Sequence, residues 1–193
     1  MKKFKLTSEF IVDISGVKLF RIKALIEFGN VKAGDLGGYI EKEENLSHMG
    51  NAWVSGNAQV SGDAQVFGDA RVSGNAWVSG DARVSGDARV FGNAQVFGDA
   101  RVFGNAWVSG DAWVSGNAQV SGDKDYAYAH GFGSCNRTTT FFRLKDGDVG
   151  VRCGCFYGTL AQFRDNVCET HGETKKAQEY LMLADLMDFR FKN

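Results

Sequence analysis

The sequence predicts a mainly β chain organised around a parallel β-helix of three-sided coils, and three observations carry that prediction. A six-residue phrase, Val-(Ser/Phe)-Gly-(Asn/Asp)-Ala-Xaa, runs from Val54 to Gly122 without an insertion, with valine at 54, 60, 66, 72, 78, 84, 90, 96, 102, 108, 114 and 120. A short fixed period marks a solenoid whose units stack on their neighbours. Within Ala-Xaa-Val the side chains alternate, so Ala and Val face inward and Xaa outward, as a short strand requires. Gly and Asn/Asp follow, residues that tolerate positive φ and let the chain turn a corner every six residues. Three corners close a coil of eighteen residues.

The flanks divide the chain into an N-terminal β cap at 1–35, the repeat at 36–123 and a smaller α+β unit at 124–193. Ile11 to Ile14, a Ser15-Gly16 turn and Val17 to Ile22 predict a hairpin over the open end of the stack. Such a cap is needed because an end coil shows unpaired backbone and an apolar core to water. Lys2, Lys3, Lys5, Lys18, Arg21 and Lys23 are expected on its solvated face. From Leu36 the frame runs in degraded form, with Leu36 and Ile40 in the Val and Ala slots and Leu46 and His48 in later ones. That count gives about five coils, a prism roughly 24 Å long at about 4.8 Å per coil.

After Gly122 the phrase dissolves into Asp125 to Gly133, expected as a loop over the last coil. Thr138 to Leu144 and Val149 to Cys155 predict two strands about a Lys145–Asp148 turn. Thr159-Leu-Ala-Gln162 is a capping box opening a helix that ends near Gly172. A second helix from about Thr174 places Ala177, Tyr180, Leu181, Ala184 and Met187 on one face, and Phe189 to Phe191 is expected to add a short strand.

Composition narrows the function classes. A net charge of −1 gives no whole-chain attraction to long nucleic acid or to membranes, and no apolar run is long enough to span a bilayer. The first residues do not sustain the apolar core of a signal peptide, so the expected location is the cytoplasm, and the four cysteines are expected as free thiols.

The Val-to-Ala spacing, Val54 with Ala58 and each later pair, resembles the left-handed parallel β-helix of hexapeptide-repeat proteins. Val31 to Glu41, Glu44 to His48, Thr140 to Arg143 and Cys153 to Leu160 are similar to a phage and prophage family often described only as polymer-forming. The resemblance implies a left-handed β-helix, a mobile-element origin and a homotrimer, with the host cytoplasm as its location. It carries no assigned reaction. Many proteins of the fold are acyltransferases, which use a histidine and a loop thrown out of the coils. Here no loop interrupts 54–122 and no histidine lies in the regular coils, so His48 and His130 are weak candidates and no enzyme or cofactor is expected.

The outward positions are the candidate binding residues. Read every eighteen residues they form three columns: Trp53, Arg71, Arg89, Trp107; Gln59, Trp77, Gln95, Trp113; and Gln65, Arg83, Arg101, Gln119. Phe91, Phe97 and Phe103 put an aromatic at every corner of one coil. Exposed aromatics on flat faces suggest a covered surface, either a trimer interface or clefts that take a nucleotide-like anion or a host protein. Each Arg follows an Asp by two residues (Asp69, Asp81, Asp87, Asp99), and alternation predicts local pairing that would blunt the cations. Cys153, Cys155, Cys168 and His171 have a spacing that zinc could use, but Cys153 and Cys155 alternate with Val149 and Val151 and are expected in the core. The favoured reading is a binding protein that sequesters an anionic ligand or blocks a host defence factor. A structural spacer and an acyltransferase are the alternatives.

Overall fold

The computed structural model describes residues 1–133 and 136–192. Each Xaa-Val pair from β4 (Trp53–Val54) to β15 (Gln119–Val120) forms a two-residue strand, and each of them before the last coil pairs in parallel with the strand eighteen residues on. The result is a parallel β-solenoid of about five coils. Every repeat valine and alanine is fully buried. At the corners glycine takes positive φ: Gly74 has φ +71°, and a side chain there would press within 3.0 Å of the Gly92 backbone one coil away. A β-branched residue at that corner meets both penalties at once.

The degraded frame at the N-terminal end differs from the expected one. Ile40, not Leu36, pairs with Val60, and Leu46 bridges Val66, so both sit in valine slots twenty residues before their partners. Leu36 is exposed. The difference is two extra residues in the corner between Leu46 and Val54, which removes His48 from the inward positions. His48 instead stacks on Phe4 with ring centroids 4.3 Å apart and accepts the Lys3 N–H at Nδ1.

Strands β1 (Phe4–Val12) and β2 (Lys18–Ala24) form the expected hairpin, with Gly16 at φ +85° in the turn. It extends one face of the prism, because β2 pairs antiparallel with β3 (Leu36–Ile40), the first strand of that face. Phe4, Ile22, Ala24 and Val31 turn onto the open core.

The two ends of the stack are chemically opposite. Each coil donates its N–H groups to carbonyls of the next, as Gln59 N–H does to Ala76 and Gln95 N–H to Ala112. The first coil therefore shows carbonyls and the last shows N–H groups, and buried ones need partners. At the first end the Asn45 side-chain amide donates to Gly62 and Ala64, and Lys3 Nζ donates to Ala52 at 2.8 Å and Gly50 at 3.3 Å. Lys3 is thus buried at 1% exposure, contrary to its expected place on a solvated face, whereas Lys2 is exposed and pairs with Glu43. At the last end, acceptors close the N–H groups: Asp123 for Trp107, Thr140 for Trp113 and Asp125 for Ser121.

Burial, with the Arg71 guanidinium nearby, lowers Lys3 from 10.5 to about 8. Between those values the unfolded chain binds the extra proton, so stability rises with pH across that window. Relative to Lys3→Met, the wild type should gain about 2–3 kcal/mol between pH 7.5 and 10.5. Urea unfolding of both proteins across that range checks it, and parallel profiles would contradict the assignment.

At the C-terminal end β16 (Tyr126–Phe132), β17 (Arg137–Arg143), β18 (Val149–Cys153) and β19 (Phe156–Thr159) form an antiparallel sheet in chain order. The expected loop over 125–133 is therefore largely a strand, because Tyr126 buries against the last coil and the backbone pairs with β17. Helix α1 (Leu160–His171) begins at the Thr159–Gln162 capping box and ends at Gly172. Helix α2 (Lys175–Phe191) buries Ala177, Tyr180, Ala184 and Met187. It continues through the residues expected as a last strand, because Phe191 completes the buried stripe. The sheet is two-sided. Phe142 and Leu144 join the solenoid core, while Phe141, Val149 and Val151 join the core under the helices. Among the described residues no helix is long and apolar enough to cross a membrane.

Candidate functional site

The three columns exist as read. Trp53, Arg71, Arg89 and Trp107 are strand partners in series, as are Gln59, Trp77, Gln95, Trp113 and Gln65, Arg83, Arg101, Gln119. Their surroundings differ. Trp53 is buried at 4% exposure, with its ring edge-on to Phe28 at 5.4 Å, so the N-terminal cap removes it from any open face. Arg71 lies half-buried beside the same cap. Trp77 is half-buried, its Nε1 donating to Ser61 at 3.4 Å. Arg83 and Arg101 are exposed and share a shallow recess with Phe67 and Phe103.

The expected Asp-to-Arg pairing is not made: none of Arg71, Arg83, Arg89 and Arg101 forms an ion pair with the aspartate two residues before it. The corner separates them. The strand contains Xaa and Val alone, so the Asp/Asn slot lies in the turn and its side chain runs along the prism edge. Asp69 accepts from Asn51 one coil earlier, and Asn57, Asn75, Asn93 and Asp111 form a hydrogen-bonded ladder at 3.3, 3.2 and 3.0 Å. The arginines turn to rings instead. Arg89 lies 4.9 Å from the Trp107 ring centroid, and Phe91 meets the same indole edge-on at 6.1 Å.

Where the second column meets the C-terminal sheet, a cleft of about 570 Å³ opens. Asp111 and Trp113 line it from the last coil, His130 from β16, Arg137 and Thr138 from β17, Arg152 from β18 and Cys155 from the β18–β19 turn. The Arg152 guanidinium lies over two rings, 5.6 Å from Phe97 and 5.4 Å from Trp113, while Phe97 and Trp113 meet edge-on at 6.3 Å. Its Nε is buried and has no hydrogen-bond partner. Arg137 packs over Gly154, and His130 Nδ1 shares a 3.0 Å hydrogen bond with Thr138. A fixed cation with an unsatisfied donor, a second guanidinium and an indole in one recess is suited to an anion carrying a ring.

Residues 64–80, 82–96 and 94–110 match the family model described as YdcK Beta solenoid repeat. The chain is a β-solenoid repeat protein. No curated protein matches it. The matched stretches fall within the stacked coils, so the likeness covers the scaffold of this solenoid and not the cleft residues contributed by the C-terminal sheet.

The solenoid does not assemble the zinc candidates. Cys153 is half-buried beside Thr139 and Tyr180, whereas Cys155 and Cys168 are exposed, and His171 stacks on Tyr180 at 5.8 Å. Cys155 departs from the expected core position because β18 ends at Cys153 and a turn at Gly154, φ +57°, breaks the alternation. Among the described residues no group of three His, Cys, Asp or Glu side chains is arranged to hold a metal. Cys135 lies outside the described residues.

Arg137 and Arg152 are the site residues that the columns alone do not reveal. A signal for Arg152 is present in Val149-Gly-Val-Arg-Cys153: if Val149 and Val151 face the helices, Arg152 must face the solenoid. That inference needs the sheet to be sandwiched between two cores, which local pattern does not state.

Proposed function

We propose that this solenoid is a non-enzymatic binding protein, of the phage type its sequence resembles, that sequesters a small anionic ring-bearing ligand of nucleotide kind in the cleft between its last coil and its C-terminal sheet. The observation that carries the reading is Arg152, whose guanidinium lies over both Phe97 and Trp113 in the wall of the cleft. A phosphate oxygen entering the cleft would meet this guanidinium in a charge-assisted hydrogen bond. Arg137 adds a second cation from the neighbouring strand, and the indole and guanidinium planes offer surfaces for a base. The scaffold holds these groups on paired strands, so little order is lost on binding.

A panel of nucleotides, including cyclic ones, titrated against tryptophan fluorescence tests this. Saturable quenching is expected, and Arg152→Ala should weaken binding about 10- to 100-fold, corresponding to the loss of a hydrogen bond to a charged group, with the circular dichroism spectrum unchanged. A panel that gives neither quenching nor thermal stabilisation would overturn the reading.

A further inference from the structure

Asp111 stands out in a cleft otherwise suited to anions. It is the last member of the ladder Asn57, Asn75, Asn93, Asp111, in which each side-chain amide donates to the next residue's Oδ1. The ladder runs one way, and its end acceptor is the carboxylate at the cleft. In that column the three earlier residues are asparagine, and the acid occurs where the cleft opens. Asn93 holds Oδ1 at 3.0 Å, which orients the carboxylate and leaves Oδ2 and a further lone pair for another donor.

Asp111 sits in the turn that leads into β14 (Trp113–Val114), two residues before Trp113, and both residues line the cleft. A ring laid on the indole, or on the Arg152 guanidinium that covers it, would turn one edge toward Asp111. A carboxylate in that place rewards an edge bearing two adjacent N–H donors and repels an acceptor edge. Resting on the reading of this cleft as a ligand site, we infer that Asp111 selects a base with a paired N–H edge, so that the ligand class is a guanine-type nucleotide, its phosphate on Arg137 and Arg152. The Asn ladder is the device that positions the selecting group.

The test compares guanosine, 2′-deoxyguanosine and adenosine 5′-monophosphates by calorimetry against the wild type and Asp111→Asn. The variant keeps the ladder, because asparagine already fills this slot in the preceding coils and its Oδ1 still accepts from Asn93. Both guanine nucleotides should bind the wild type about tenfold or more tighter than the adenine nucleotide, the discrimination of a good two-bond base contact. Asp111→Asn should erase that preference without weakening adenosine monophosphate. Equal binding of guanine and adenine nucleotides to the wild type would overturn the selectivity and leave the cleft as an anion site. A guanine preference that survives in Asp111→Asn, or that disappears with the 2′-deoxy ligand, would place selection elsewhere and likewise overturn it. If none of the three binds and the wider nucleotide panel is also silent, the reading of the cleft itself falls.

Discussion

Val84→Asp should abolish cooperative unfolding of the solenoid, at a cost of several kcal/mol. Val84 is fully buried and sits between Val66 and Val102 in one inward column. A carboxylate there meets alanine and valine side chains, with the flanking backbone already committed to the coils above and below. Because each coil contacts its neighbours alone, the damage should appear as a break in the stack. Urea unfolding followed by tryptophan fluorescence, with hydrogen exchange to locate the break, measures this. A variant as stable as its parent would mean that Val84 does not face a packed interior, and the phase assigned to the repeat would be wrong.

Phe142→Ala should cost about 3–5 kcal/mol and uncouple the C-terminal sheet from the last coil. Phe142 is fully buried in the solenoid core and stacks on Tyr157 at 6.5 Å, and the Tyr157 hydroxyl occupies the space where a side chain on Gly116 would lie. Gly150 makes room for the ring, since a Cβ there would come within 2.5 Å of it. Phe141 is the adjacent residue, but it packs against Phe163 beneath the helices. The expected contrast is therefore directional. Phe142→Ala should lower hydrogen-exchange protection in the last coil, around Trp113 and Ser121, whereas Phe141→Ala should loosen α1 and α2 first. If both variants lose protection in the same elements, the sheet does not divide two cores. Because Arg152 shares the Phe142 side of the sheet, Phe142→Ala should also weaken any ligand held in the cleft.

The sequence by itself determined the repeating body of this protein. Valine and alanine at fixed places in a six-residue phrase specify which side chains are inside, and corner glycines at φ near +70° fix where the chain turns, so the eighteen-residue columns emerge as true strand partners. The same local chemistry placed both helices, because a capping box and a 3.6-residue stripe are written within a few residues of each other.

Tertiary structure decided what lies where the period stops. Two additional residues between Leu46 and Val54 shift Ile40 into register, and only the partner strand reveals the shift. Lys3 is buried because the first coil presents carbonyls that need donors, a demand created by the stack and invisible in a run of lysines. The aspartates face along the prism edge because corners interrupt the alternation that would have paired them with arginine. The cleft, finally, joins Asp111 and Trp113 to Arg137 and Arg152, although Asp111 and Arg152 stand 41 positions apart in the sequence. Local pattern can say that Arg152 faces away from Val151, but which surface it then meets is set by the packing of the sheet between the last coil and the helices.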